Sequence, residues 1–272
     1  MKLTDLNIYP IKSLSGISVQ SSIIENKGLQ FDRRWLLVDE KNEFLTQRNF
    51  ARMATLQTAV SEKGLRVFNS ESEINVALLP SEKEAETVKI WSSRVRADVY
   101  EREVNEWFSQ ALQTTCRLVL MSEETRRKVN YFFAVHKDDA VSFADAMPFL
   151  LTGENSLNDL NEKLDKKIPM NRFRPNFTVS GAEAFAEDNW KKIKIGETIF
   201  HVVKPCARCV VTTIDQITGI SDGKEPLKTL ATYRIPKRSV KKKIVFGQYL
   251  IAENAGGEIK IGDAVEILET RN

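Results

Sequence analysis

Cys206 and Cys209 stand two residues apart in KPCARCVVTT, residues 204–213, with Arg208 between them and Lys204 just before. That spacing admits four chemistries. Half of a zinc site would need two more ligands, and the remaining cysteine and histidines are Cys116, His136 and His201. A redox dithiol of the thioredoxin kind opens a helix whose dipole lowers the thiol pKa, whereas the β-branched run after Cys209 predicts a strand over 209–214. Two inert thiols buried at a strand end are the third reading. The fourth is a single functional thiolate, favoured by the charges of Lys204 and Arg208; such a soft anion is a natural ligand for a soft or sulfur-bound metal.

Three other segments carry cations suited to an anion. In NRFRPNF, residues 171–177, an extended backbone would place Arg172, Arg174 and Asn176 on one face and Phe173, Pro175 and Phe177 on the other. The polar face is either a solvated surface or a rigid fork for a phosphate or a planar heterocycle, and Pro175 predicts an edge strand or a bulge. In YPIKSLSG, residues 9–16, a proline-broken strand end leads to a turn with Lys12 and Ser13, an anion cradle without the Walker glycines or simply a surface turn. The same two readings apply to FDRRW at 31–35 and TQR at 46–48. The basic run KRSVKKK at 237–243 reads as a solvated loop, with a docking patch for an acidic protein as its alternative. Two histidines outside any nucleophile-elbow sequence disfavour a Ser-His-Asp hydrolase.

These groups must be positioned by β structure. The 272 residues exceed what one core usually serves, so two closely packed modules are expected, at 1–114 and 115–270. Short strand-like runs at 35–38, 64–68 and 88–91, separated by turn residues, make the first module barrel-like. A helix is predicted over 104–112 from Val104, Phe108 and Leu112, followed by a strand at 116–120 and a loop at 123–139. The second module reads as strands at 173–179, 191–195, 198–203, 245–252 and 264–268. Helices are expected at 155–164, capped by Asn155 or Ser156, and at about 225–234. The order lacks βαβ alternation, so the fold class is mostly β, or α+β, with two barrel-like modules and few helices. A net charge of +3 gives no compositional case for nucleic acid, and no apolar run approaches a membrane span. An odd, small number of cysteines and the absence of a secretory core point to the cytoplasm.

Taken together, YPIKS at 9–13, FRPN at 173–176, AED followed by Trp190, CARCVVTTID at 206–215 and FGQY at 246–249 resemble the MOSC-domain family, in its order and over nearly the whole chain. The pattern is most similar to the amidoxime-reducing components and their bacterial relatives. The resemblance implies an N-terminal MOSC β-barrel module, a MOSC domain and a molybdenum cofactor. It implies that Cys209 ligates molybdenum, that Cys206 does not, and that Lys12, Ser13, Arg33, Arg174, Asn176 and Arg208 bind the pterin cofactor. The implied activity is reduction of N-hydroxylated small molecules, of hydroxylamine or amidoxime type, with electrons from a separate donor protein. Its rival is a non-catalytic cofactor or sulfur-carrier module, because MOSC domains also end cofactor sulfurases. Two departures stand out: Ala207 takes the place of a serine, and residues 145–147 lack small hydroxyls. After Cys209 there is no cysteine to hold an iron–sulfur cluster.

Overall fold

The short apolar runs form strands as expected, and the strands of the two halves interleave. A computed structural model describes residues 1–82, 84–237 and 242–271, which contain eighteen strands and three α-helices. Residues 238–241 of the basic run lie outside the described residues. The largest sheet has eight strands, in the order Val265–Thr270, Trp190–Ile195, Thr198–Ala207, Val245–Ala252, Phe149–Gly153, Phe177–Ser180, Lys2–Ile8 and Ile17–Ser18. Neighbours run antiparallel except Phe149–Gly153 and Phe177–Ser180, which are parallel. In Lys2–Ile8 a register shift between Leu3 and Asp5 lets Leu3, Leu6 and Ile8 all reach the core, which strict alternation would forbid. Behind them the rings of Phe149 and Phe177 stack at 5.7 Å, and Phe200 meets Phe149 edge-on at 5.4 Å.

A four-stranded sheet (Trp35–Val38, Arg117–Leu120, Ser93–Val99, Ala85–Ile90) and a three-stranded one (Gln57–Ser61, Gly64–Phe68, Glu73–Val76) build the other half. The helix Arg102–Leu112 buries Val104, Phe108 and Leu112 against them, the face predicted from their spacing. Helices Glu154–Glu162 and Leu227–Tyr233 also lie where expected, but the first is capped by Gly153. Ser156, expected as a cap, lies inside the helix and donates its hydroxyl to the buried carboxylate of Glu187 at 2.8 Å.

Pairing crosses the 114/115 point in both directions. Lys2–Ile8 belongs to the sheet of the C-terminal half, Arg117–Leu120 to a sheet of the N-terminal half, and Glu258–Lys260 pairs with Ser21–Glu25. The seam is therefore held by backbone ladders.

Two predicted strands differ. Val210–Thr213 is a 3-10 turn, because Thr212 Oγ1 bonds Cys209 O at 3.0 Å and Thr213 Oγ1 bonds Val210 O at 2.8 Å, giving the backbone a local alternative to a ladder. The stretch before Phe177 is a 3-10 turn, Met170–Arg172, followed by Arg174 in the left-handed region at φ 54°. Phe177–Ser180 then enters the middle of the sheet, so Pro175 marks neither an edge strand nor a bulge.

Candidate functional site

Where the sheets meet, the ends of several elements open a cleft of about 840 Å³, counting its solvent-open mouth. All seven residues singled out from the sequence line it: Lys12, Ser13, Arg33, Arg174, Asn176, Arg208 and Cys209. Arg48, Arg172 and Asp145 join them, so six cations face one carboxylate.

Cys209 follows the end of the strand Thr198–Ala207 and caps the 3-10 turn, with its side chain partly exposed in the cleft. Cys206 also lines the cleft but is buried; burial pushes its thiol pKa up against the lowering influence of Arg208 and Tyr249, and its sulfur lies 3.8 Å from Ala207 O. Lys204 lies over the Phe133 ring at 4.2 Å, where burial lowers its pKa and the Cys206 sulfur opposes that change. Cys116 is packed in the N-terminal core, and among the described residues no three His, Cys, Asp or Glu side chains converge to hold a metal.

The arginines divide by partner. Arg33 Nη1 lies 2.7 Å from Asp32 Oδ2, and the fully buried Arg172 meets Asp215 at 3.0 Å and Asp222 at 2.5 Å while holding Thr213 O at 2.8 Å. Arg174 and Arg208 pair with no carboxylate among the described residues. Arg174 donates to Gln216 Oε1 at 3.0 Å and Leu14 O at 2.7 Å; Arg208 donates to Phe246 O and Phe173 O, both at 2.8 Å. Arg208 Nη2 is buried and donates to nothing among the described residues. Gly247 lies beside it at φ 75°, where a Cβ would come within 3.4 Å of that nitrogen and 2.6 Å of Leu151 O. Two guanidiniums without an ion-pair partner among the described residues, one with an orphan donor, are chemically suited to an anion.

Asn176 is buried and its amide is committed to the protein, accepting from Leu150 N and donating to Asn7 O, each at 3.1 Å. Ser13, at φ 70°, offers its backbone oxygen to Gln47 at 2.8 Å. Lys12 donates to Phe143 O at 2.8 Å and pairs with Asp145; burial brings its pKa down to about 8 despite that partner. Burial alone would raise the Asp145 carboxyl, but Lys12 and Arg48 hold it far below the usual range. Among the ionisable residues lining the cleft, Asp145 and Tyr249 are the two to which the sequence analysis assigns no role. Tyr249 ends the FGQY motif, and Asp145 opens the 145–147 segment that lacks small hydroxyls.

Residues 1–115 match the family model of the MOSC N-terminal beta barrel domain, and residues 138–266 that of the MOSC domain. Mitochondrial amidoxime-reducing component 1 of Mus musculus is 36% identical, over 98% of this chain and 82% of its own length. Its Homo sapiens counterpart is 33% identical over the same shares. Molybdenum cofactor sulfurase of Oryza sativa subsp. japonica is 34% identical over 93% of this chain, which spans 32% of that protein.

Proposed function

The chain belongs to the MOSC-domain family, and we propose that it holds a molybdenum cofactor in this cleft and reduces N-hydroxylated compounds with electrons from a separate donor protein. The observation that carries the reading is one partly exposed cysteine sulfur facing six cations, two of them without a carboxylate partner. The residues fit the cofactor. Arg174 and Arg208, the latter with an orphan Nη2, suit its phosphate and pterin edges, and the isolated Cys209 suits a metal whose remaining ligands are not protein atoms. When bound, the cofactor supplies a metal that takes an oxygen atom from nitrogen.

In this reading Arg33, Arg174 and Arg208 bind and orient the anionic end, with Lys12 and Ser13 closing the N-terminal side. Asn176 acts indirectly, by tying the backbone at Asn7 and Leu150 together under the arginines. Conversion of the N–OH group to N–H and water consumes two electrons and two protons. Lys12 Nζ carries a proton at neutral pH at the edge of the cleft. In this reading the electrons come from a separate donor protein, as the family resemblance implies. No described helix is long and apolar enough to cross a membrane, and a cytoplasmic site of action is part of the proposal.

The test is direct. Protein made in a host with an intact cofactor pathway is expected to carry close to one molybdenum per chain and to reduce a hydroxylamine with an artificial donor; molybdenum far below that ratio overturns the reading. The rice sulfurase relative favours a second one, a sulfur carrier. A persulfide on Cys206 or Cys209 by mass spectrometry, with no N-reduction, would establish it.

A further inference from the structure

We infer that Tyr9 is a positioning residue that sets both anion-binding arginines, Arg33 and Arg174, and that Gly16 exists to leave room for its ring. The inference rests on the anion-binding role proposed for those arginines. The two come from segments 141 residues apart, yet the Cζ of each lies 4.3 Å from the centroid of the same buried ring. Both have left-handed backbones, at φ 50° and 54°, so neither side chain is aimed by a regular strand or helix.

Tyr9 fixes them from three sides. Its hydroxyl donates to Pro175 O at 3.1 Å, next to Arg174 in the chain, and its amide donates to Asp32 Oδ1 at 2.8 Å, the carboxylate that pairs with Arg33. Its carbonyl accepts the Arg33 amide at 2.8 Å. The ring face attracts both guanidiniums in a desolvated setting, where such contacts are strongest. Any side chain at 16 would strike it, since a Cβ there falls 2.5 Å from Tyr9 Cε1. Without the ring, two like charges already linked through Arg33 Nη2 and Arg174 O would lose the surface that keeps them side by side.

The experiment uses the full chain without cofactor and inorganic phosphate as probe, with NMR of selectively labelled arginine assigned through Arg33→Lys and Arg174→Lys. Wild type should bind phosphate and show upfield-shifted Arg33 and Arg174 side-chain protons, as expected for protons held over a ring. Tyr9→Phe should keep the shifts and bind within about twofold; Tyr9→Leu should lose the shifts and bind about tenfold more weakly. Gly16→Ala, which keeps the tyrosine but displaces its ring, should resemble Tyr9→Leu even if that variant folds poorly. Wild-type affinity in Gly16→Ala or Tyr9→Leu, or shifts that persist in them, overturns the inference. Absence of phosphate binding in wild type instead overturns the anion-binding role of the arginines, while the upfield shifts still decide where Tyr9 places them.

Discussion

Cys206 and Cys209 differ in surroundings rather than in chemistry. Both line the cleft, but Cys206 is buried and Cys209 is partly exposed. Replacing Cys209 with serine is therefore expected to cut bound molybdenum at least tenfold by elemental analysis, because a neutral hydroxyl is a poor soft-metal ligand. The same change at Cys206 should leave the metal in place; equal losses would mean that both sulfurs bind. Lys12 gives a pH signature. With its pKa brought down to about 8, its charge is present below that pH and lost above it, so phosphate binding should weaken as pH rises through about 8. Asp145 raises the Lys12 pKa, so Asp145→Asn should move that weakening to lower pH. A titration unchanged by Asp145→Asn would remove Lys12 from the anion site. At this scale residue types were legible in the sequence but conformations were not. Ser13, Arg33 and Arg174 all sit at positive φ, a cost of about 1–3 kcal/mol each that only the surrounding tertiary bonds sustain.

Among the elements, those with a repeating apolar face were legible and those held by side-chain-to-backbone bonds were not. The helix Arg102–Leu112 announced itself through Val104, Phe108 and Leu112. Phe149–Gly153, buried at every position, has no polar alternation to betray a strand. The turn after Cys209 was hidden because two threonines, good strand formers, bond carbonyls three residues back. Glu187 is a similar hidden support: its carboxylate, buried, accepts from Gly153 N and Ser156 Oγ at the start of the helix Glu154–Glu162. Burial raises its pKa above the unfolded value of about 4.3. A raised carboxyl contributes stability that is fully present below the unfolded pKa and is lost as pH rises through the folded one. Glu187→Gln should therefore gain on wild type in melting temperature as pH goes from 4.5 to 7. A constant difference across that range would show that the group titrates normally.

At the scale of the whole molecule, composition and motif order indicated two β-rich modules, but no local pattern could indicate that they trade strands. Strand exchange depends on pairings between residues as distant as Lys2 and Ser180, or Ile23 and Glu258, and period-two patterning specifies a face, not a partner. The exchange explains why the cleft can be rigid at a seam: Lys12 and Arg33 arrive from one side and Arg174, Arg208 and Cys209 from the other, with ladder hydrogen bonds fixing their separation. It also predicts unfolding behaviour. Separating the halves would strip Lys2–Ile8 from Phe177–Ser180, exposing Leu3, Leu6 and Ile8 together with the unpaired edge of Phe177–Ser180. Each buried aliphatic side chain so exposed costs about 1.5–3 kcal/mol, a large part of the 5–15 kcal/mol that holds a typical domain folded. Neither half should therefore survive the loss of the other. Urea unfolding followed by far-UV circular dichroism should superimpose on that followed by tryptophan fluorescence both in Trp190→Phe, where Trp35, Trp91 and Trp107 report on the N-terminal half, and in a triple Trp35→Phe, Trp91→Phe, Trp107→Phe variant, where Trp190 reports on the C-terminal half. Two separated transitions would show the modules folding independently, and the cleft would then have to be assembled by something other than the shared sheets.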